Sequence, residues 1–183
     1  MAEESKLDVK SIIDRAEISL ILDSYDDIFS DFDPRPFNER ALSEDFIFET
    51  KRAARDKKTG IELRLLIPEK IRSTSDEELI KLRLRSYFKK NYKAAQEELD
   101  KRNRRAAVLV SVGAVLGLAD AVLLSFNGLG TIFQDAIEII LTPASWYTIW
   151  TGFDGLMIKP KETLADRSFY KKMSSAQIIF TTY

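Results

Sequence analysis

Five carboxylates crowd one short stretch of the chain: Asp23, Asp26, Asp27, Asp31 and Asp33, within DSYDDIFSDFDPRPF. They follow AEISLIL, whose alternating Ile18, Leu20 and Leu22 predict a strand. Acids at the C-terminal end of a strand can hold Mg²⁺ for phosphate chemistry. Against this, Asp favours turns and caps, and Arg35 and Arg40 stand close by as countercharges. The spacing lacks the glycine of a calcium loop, and the chain has no glycine-rich phosphate cradle. The expectation is therefore no bound metal, with these five as the candidate ligands if there is one. Phe29, Phe32 and Phe37 are interleaved with the acids, so the loop is expected to fold against the sheet or to dock a partner.

The rest of the inventory narrows the chemistry further. The chain has no histidine and no cysteine. That removes the commonest general base, the commonest metal ligand and the thiol nucleophile. It weighs against a hydrolase and predicts a protein without a cofactor. A net charge of -1 offers no argument for nucleic acid.

A sixth acid, Asp120, stands out because of where it lies. Residues 106–126, AAVLVSVGAVLGLADAVLLSF, are apolar apart from it and two serines. A helix of that length covers about 31 Å, close to a hydrocarbon core. Its large apolar side chains supply about -4 kcal/mol of insertion free energy, against at most about +3 kcal/mol for Asp120. A second run, residues 139–158, is IILTPASWYTIWTGFDGLMI. Trp146, Tyr147 and Trp150 suit an interface, and Pro143 is expected to kink this span or mark its outer end.

Between Arg105 and Lys159 there is no Lys or Arg. Lys101, Arg102, Arg104 and Arg105 flank the first run, and Lys159, Lys161, Arg167, Lys171 and Lys172 follow the second. The positive-inside rule then predicts a two-pass protein of the cell membrane with both termini cytoplasmic. The start of the chain, MAEESKLDVKSIID, lacks the basic and apolar regions of a cleaved signal, which agrees. The basic flank at Lys101, Arg102, Arg104 and Arg105 is expected to meet anionic headgroups. The opposing reading is a soluble protein whose two most apolar helices pack as a buried pair. A soluble helix usually keeps a polar face, and residues 106–119 offer only Ser111.

Within the first run, Gly113, Gly117 and Ala121 recur every fourth residue. Such a small-residue stripe lets another helix approach, within the chain or in a homo-oligomer. Asp120 lies near the same face. It is read either as a proton, ion or oligomer site, or as a carboxyl hydrogen-bonded close to the outer interface.

The remaining elements must carry these groups. NERALSEDFIFETKRAARDKK predicts a helix over 38–58 with Asn38 as N-cap. IELRLLI predicts a second strand over 61–67, ended by Pro68. Ser75 to Glu78 reads as a capping box, opening a helix of about fifty residues that runs on into the first span. ETLADRSFYKKM suits a short helix and AQIIFTTY a third strand, which should return to pair with one of the first two because two strands alone are marginal.

The expected fold is α+β: a small cytosolic domain of about three strands and two or three helices, with a two-helix transmembrane hairpin inserted before the C-terminal strand. The divisions are a polar tail over 1–15, the cytosolic domain and its long helix over 16–105, the hairpin over 106–158 (spans 106–126 and 139–158), and a C-terminal helix and strand over 159–183. The expected function is a non-enzymatic membrane anchor that holds this domain at the bilayer for assembly or for recruitment of a protein partner. The alternatives are a homo-oligomeric pore using Asp120, and a Mg²⁺-dependent phosphate enzyme at the Asp23 to Asp33 loop.

Overall fold

A computed structural model describes residues 18–55, 62–125, 131–158 and 160–183. The polar tail, the helix end at Thr59 and Gly60, and the Asn127-Gly128-Leu129-Gly130 breaker lie outside the described residues. The chain divides into two compact units, Met1–Lys93 with Ala165–Tyr183, and Ala94–Leu164. Both bounds fall within helices, at 93/94 and 164/165.

The first unit is built on a parallel sheet of three strands: β1 (Ile18–Ile21), β2 (Glu62–Ile67) and β3 (Gln177–Thr182). Their spatial order is β1-β2-β3, with β2 in the centre. Parallel neighbours need crossover connections rather than hairpin turns. Helix α1 (Glu44–Ala54) lies between β1 and β2 in the chain. Between β2 and β3 come α2 (Thr74–Ser125), α3 (Thr131–Met157) and α4 (Lys161–Ser174). The fold is α+β.

The register assigns side chains to the two faces. Ile18, Leu63 and Ile178 stand level across the sheet, as do Leu20, Leu65 and Phe180. These residues and Ile67 form one core with Phe46 and Ala54 of α1, Ile80, Leu84 and Phe88 of α2, and Phe169 and Met173 of α4. The helices of this unit therefore pack on that face. Strand periodicity sends Ser19, Arg64 and Ile179, and then Ile21, Leu66 and Thr181, to the other.

Two helix starts depart from the sequence reading. Helix α1 begins at Glu44 with Ser43, not Asn38, as N-cap. The Pro36 carbonyl accepts from the N–H groups of Glu39 and Arg40, so residues 36–40 form a turn. Leu42 then pairs with Phe29 in an antiparallel bridge, flanked by Ser30 N–H to Ala41 O at 2.9 Å and Ser43 N–H to Ile28 O at 3.0 Å. The pairing partner lies more than a dozen residues upstream, where local propensity does not reach. Helix α2 likewise starts earlier than expected, at Thr74, with Ser73 rather than Ser75 in the capping position. Ser73 Oγ accepts from the Asp76 N–H, and the Ser73 N–H donates to Tyr25 Oη at 2.9 Å.

The acidic stretch contains one 3₁₀ turn at Tyr25–Ile28 with Ser24 as N-cap. In the second unit, α2 runs without interruption to Ser125, a helix of 52 residues in all. It is, among the described residues, the one helix long and apolar enough to cross a membrane, and only 11% of its apolar 18-residue segment is buried within the protein. Helix α3 has 27 residues and keeps Pro143 inside it.

Candidate functional site

Within the second unit, α2 and α3 lie side by side and antiparallel. Moving along α2 from Arg102 toward Leu123, the contacts on α3 run backward from Ile158 toward Gln134. The seam is lined by small residues from both helices. A Cβ on Gly113 would fall 2.6 Å from Ile149 Cγ1 and 2.9 Å from the Ile149 backbone nitrogen. A Cβ on Gly152 would fall 2.8 Å from the Ala106 carbonyl oxygen. Gly117 faces the Ser145 side chain, and Gly155 faces Ala106. Only residues without a Cβ admit the opposite backbone this closely.

Polar groups cross-link the same seam. Thr142 Oγ1 donates to Asp120 Oδ2 at 2.6 Å, and Ser145 Oγ donates to the Gly113 carbonyl at 2.8 Å. Near one end the Arg102 guanidinium donates to the Ile158 carbonyl at 2.7 Å, satisfying an acceptor at a helix C-terminus. Toward the other end Gln134 Nε2 donates to the Leu123 carbonyl at 3.4 Å.

The surface of the pair has the opposite character. Asp120 and Ser145 are 8% and 6% exposed. Val115, Leu118, Ile139 and Tyr147 are 64%, 67%, 73% and 74% exposed. Trp146 and Trp150 are exposed too, with their rings stacked at 6.4 Å. Polar groups inside and large apolar groups outside invert the arrangement of a water-soluble helix pair.

Of the expected stripe, Gly113 and Gly117 lie in the seam, but Ala121 is exposed. At 3.6 residues per turn, two successive steps of four drift off a straight contact line, and a four-then-three spacing returns to it. Asp120 therefore occupies the place assigned to Ala121. The sequence reading does not single out the α3 half of the seam, Thr142, Ser145, Gly152 and Gly155. The spacing of Ser145, Gly152 and Gly155 was the available signal. Of the basic flank, Arg102 is held in the seam, while Lys101, Arg104 and Arg105 are exposed.

The acidic stretch of the first unit is committed to its own backbone. Asp27 Oδ2 accepts from the N–H groups of Asp23 at 2.7 Å and Ser24 at 3.0 Å, completing a capping box. Asp26 pairs with Arg40. Asp33 accepts from Arg35 in a bidentate pair and from the Ala41 N–H at 2.6 Å. The Arg35 guanidinium, and then the Ala41 N–H, hold the Asp33 carboxyl well below the usual carboxylate range. Asp23 and Asp31 are exposed. Among the described residues, no three acids converge on a point that could hold a metal ion. Phe29 and Phe37 stack at 5.2 Å against the core, whereas Phe32 is 98% exposed.

A second polar cluster lies beyond the C-terminal ends of β1 and β2. Glu77, 4% exposed, accepts from Arg72 through both oxygens, at 2.7 and 2.9 Å, and from Tyr25 Oη at 3.2 Å. Burial pushes the Glu77 carboxyl up, but the Arg72 guanidinium outweighs it and leaves the pKa below the ordinary value. The arrangement fastens the start of α2 to the loop after β1. It joins residues about fifty positions apart, which no local motif announces.

Comparison with protein-family models, with curated proteins and with solved structures finds no match.

Proposed function

We propose that the chain is a non-enzymatic, two-pass protein of the cell membrane, with α2 and α3 as a transmembrane hairpin and both termini cytoplasmic. The hairpin holds the α+β unit at the membrane, where it serves assembly or recruits a protein partner. One observation carries the reading: the inverted burial of the α2–α3 pair. Water-soluble helices hide Val, Leu and Ile and expose Asp and Ser. Here Asp120, Thr142 and Ser145 turn toward the seam while the large apolar side chains face outward. In lipid this arrangement is favourable, because a polar group in hydrocarbon must find a partner inside the protein and an apolar one need not.

The absence of Lys and Arg between Arg105 and Lys159 supports the same topology. Exposed Lys101, Arg104 and Arg105 then meet anionic headgroups at the cytoplasmic surface. The seam also favours anchoring over conduction. The carboxyl of Asp120 is engaged by Thr142, and both glycines of the stripe are occupied within one chain rather than presented to a second copy. Recruitment is assigned to the cytosolic unit, where Phe32 stands clear of the fold at the tip of the acidic loop.

Carbonate extraction of membranes from expressing cells tests the placement, and the protein is expected in the pellet. The chain has no cysteine, so a single Gly128→Cys reports topology. It should react with a membrane-impermeant maleimide in intact cells. Recovery in the carbonate supernatant, or labelling only after lysis, overturns the proposal.

A further inference from the structure

Helix α1 buries one stripe and leaves another bare. Phe46, Thr50 and Ala54, spaced four apart, are buried. Phe48, about half a turn from Phe46, is 64% exposed. Beside it lies a cavity of about 390 Å³ in the first unit, lined by Leu42, Ile47, Phe48 and Tyr87 together with the exposed Glu44 and Asp45. Leu42, Ile47 and Tyr87 are half-buried at the margin of the core, and the Tyr87 phenol is hydrogen-bonded to Tyr170. The cavity's charge follows from what its ionic groups do elsewhere. Lys51 also lines it, but its ammonium is 2.8 Å from Asp166 and lies over the Phe169 and Tyr170 rings. Glu44 and Asp45 have no cationic partner among the described residues. They sit in the first turn of α1, where the helix macrodipole carries roughly half a positive charge, and two full negative charges outweigh it.

We infer that this cavity docks a basic segment of a protein partner, in which a large apolar side chain stands beside Lys or Arg. The inference rests on the recruitment role proposed above and gives it a place and a chemistry. The apolar side chain enters between Ile47, Phe48 and Tyr87, and its burial covers the exposed Phe48 ring. The neighbouring cation meets Glu44 and Asp45, and a guanidinium gains further by lying over the Phe48 face. An acidic segment is repelled by the same two carboxylates, which makes the site selective as well as adhesive.

Selection of a displayed library of random short peptides on the full chain tests it. The chain is held in nanodiscs of zwitterionic lipid, and empty nanodiscs remove peptides that bind lipid. Enriched peptides should carry Lys or Arg beside Leu, Phe or Trp. Synthetic copies should bind Phe48→Ser about tenfold more weakly than the parent, and the double variant Glu44→Gln with Asp45→Asn about fivefold more weakly. The double variant Asp31→Asn with Glu39→Gln removes two exposed charges of the same unit outside the cavity, and should stay within about twofold of the parent. If Phe48→Ser has lost helical circular dichroism, the Glu44 and Asp45 variant decides. Peptides that bind that variant as tightly as the parent, or enriched peptides that are acidic, overturn the inference. Binding lost on Phe32→Ala but kept on Phe48→Ser overturns the cavity and leaves recruitment standing at the acidic loop. An empty selection overturns the cavity and the recruitment role together; if Phe48-dependent self-association accompanies it, a second copy is the occupant.

Discussion

Thr142 Oγ1 donates to Asp120 Oδ2 across the seam of α2 and α3, at 2.6 Å. The bond satisfies a carboxyl that the sequence places deep in an apolar run. It also ties the two helices together. Thr142→Val should leave Asp120 without this donor and loosen the pair by about 1–2 kcal/mol. Asp120→Asn should lose less, because an amide oxygen still accepts from Thr142. Unfolding in mixed detergent micelles measures both. A Thr142→Val protein as stable as the parent would remove the seam bond from the account.

The glycines should rank by what they face. Gly113→Ala and Gly152→Ala push a Cβ into opposing backbone and are expected to cost about 1–3 kcal/mol each. Gly117→Ala meets the Ser145 hydroxyl, the end of a small rotatable side chain, and should cost less. The same unfolding assay orders the three. Equal costs would mean that the helices part readily at the seam.

Glu77 makes acid stability depend on a buried pair. Its folded pKa is depressed, so its contribution is present above the unfolded value and is lost as pH falls through the folded one. Glu77→Gln should lower stability at neutral pH and flatten the loss on acidification below about pH 4.5. Urea denaturation across pH 2–7 reads the slope. An unchanged slope contradicts the assignment.

Tyr87 acts at the other end of the scale. Burial, and then the neighbouring Tyr170, push its phenol up to about 12. A folded pKa raised above the unfolded one gives stability that is full below the unfolded value of 10.0 and is lost as pH rises through about 12. Tyr87→Phe should remove part of that alkaline loss, leaving stability near pH 7 changed by less than about 1.5 kcal/mol. Thermal melts between pH 8 and 12 check it.

Phe32 separates recruitment from folding. At 98% exposure it contributes little to the core, so Phe32→Ala should alter stability by less than about 0.5 kcal/mol. If the acidic loop docks a partner through this ring, the substitution should weaken that association. Cross-linking in cells followed by comparison of the captured partners, with Phe29→Ala as the unfolding control, tests the loop.

Periodicity and composition alone determined much of the architecture. The alternation in ISLI, ELRLLI and QIIFTT marked three strands. The lack of any Pro from Thr74 to Ser125 let one helix run through a change from charged to apolar residues. The gap in basic residues between Arg105 and Lys159 marked the apolar region. These are short-range properties, and neighbouring residues carry them.

The tertiary structure decided what distant residues do to one another. It placed β2 between β1 and β3 and made both strand pairings of the sheet parallel. It moved the start of α1 to Ser43 because Leu42 bridges Phe29, and set the start of α2 at Thr74, where Tyr25 meets Ser73 and Glu77. It turned Asp26, Asp27 and Asp33 into local fastenings, and put Asp120 rather than Ala121 opposite Thr142. The reason is common to all of them. A side chain's own neighbours in sequence set its spacing along a helix or strand, but its partner is set by whichever surface the rest of the chain packs against it.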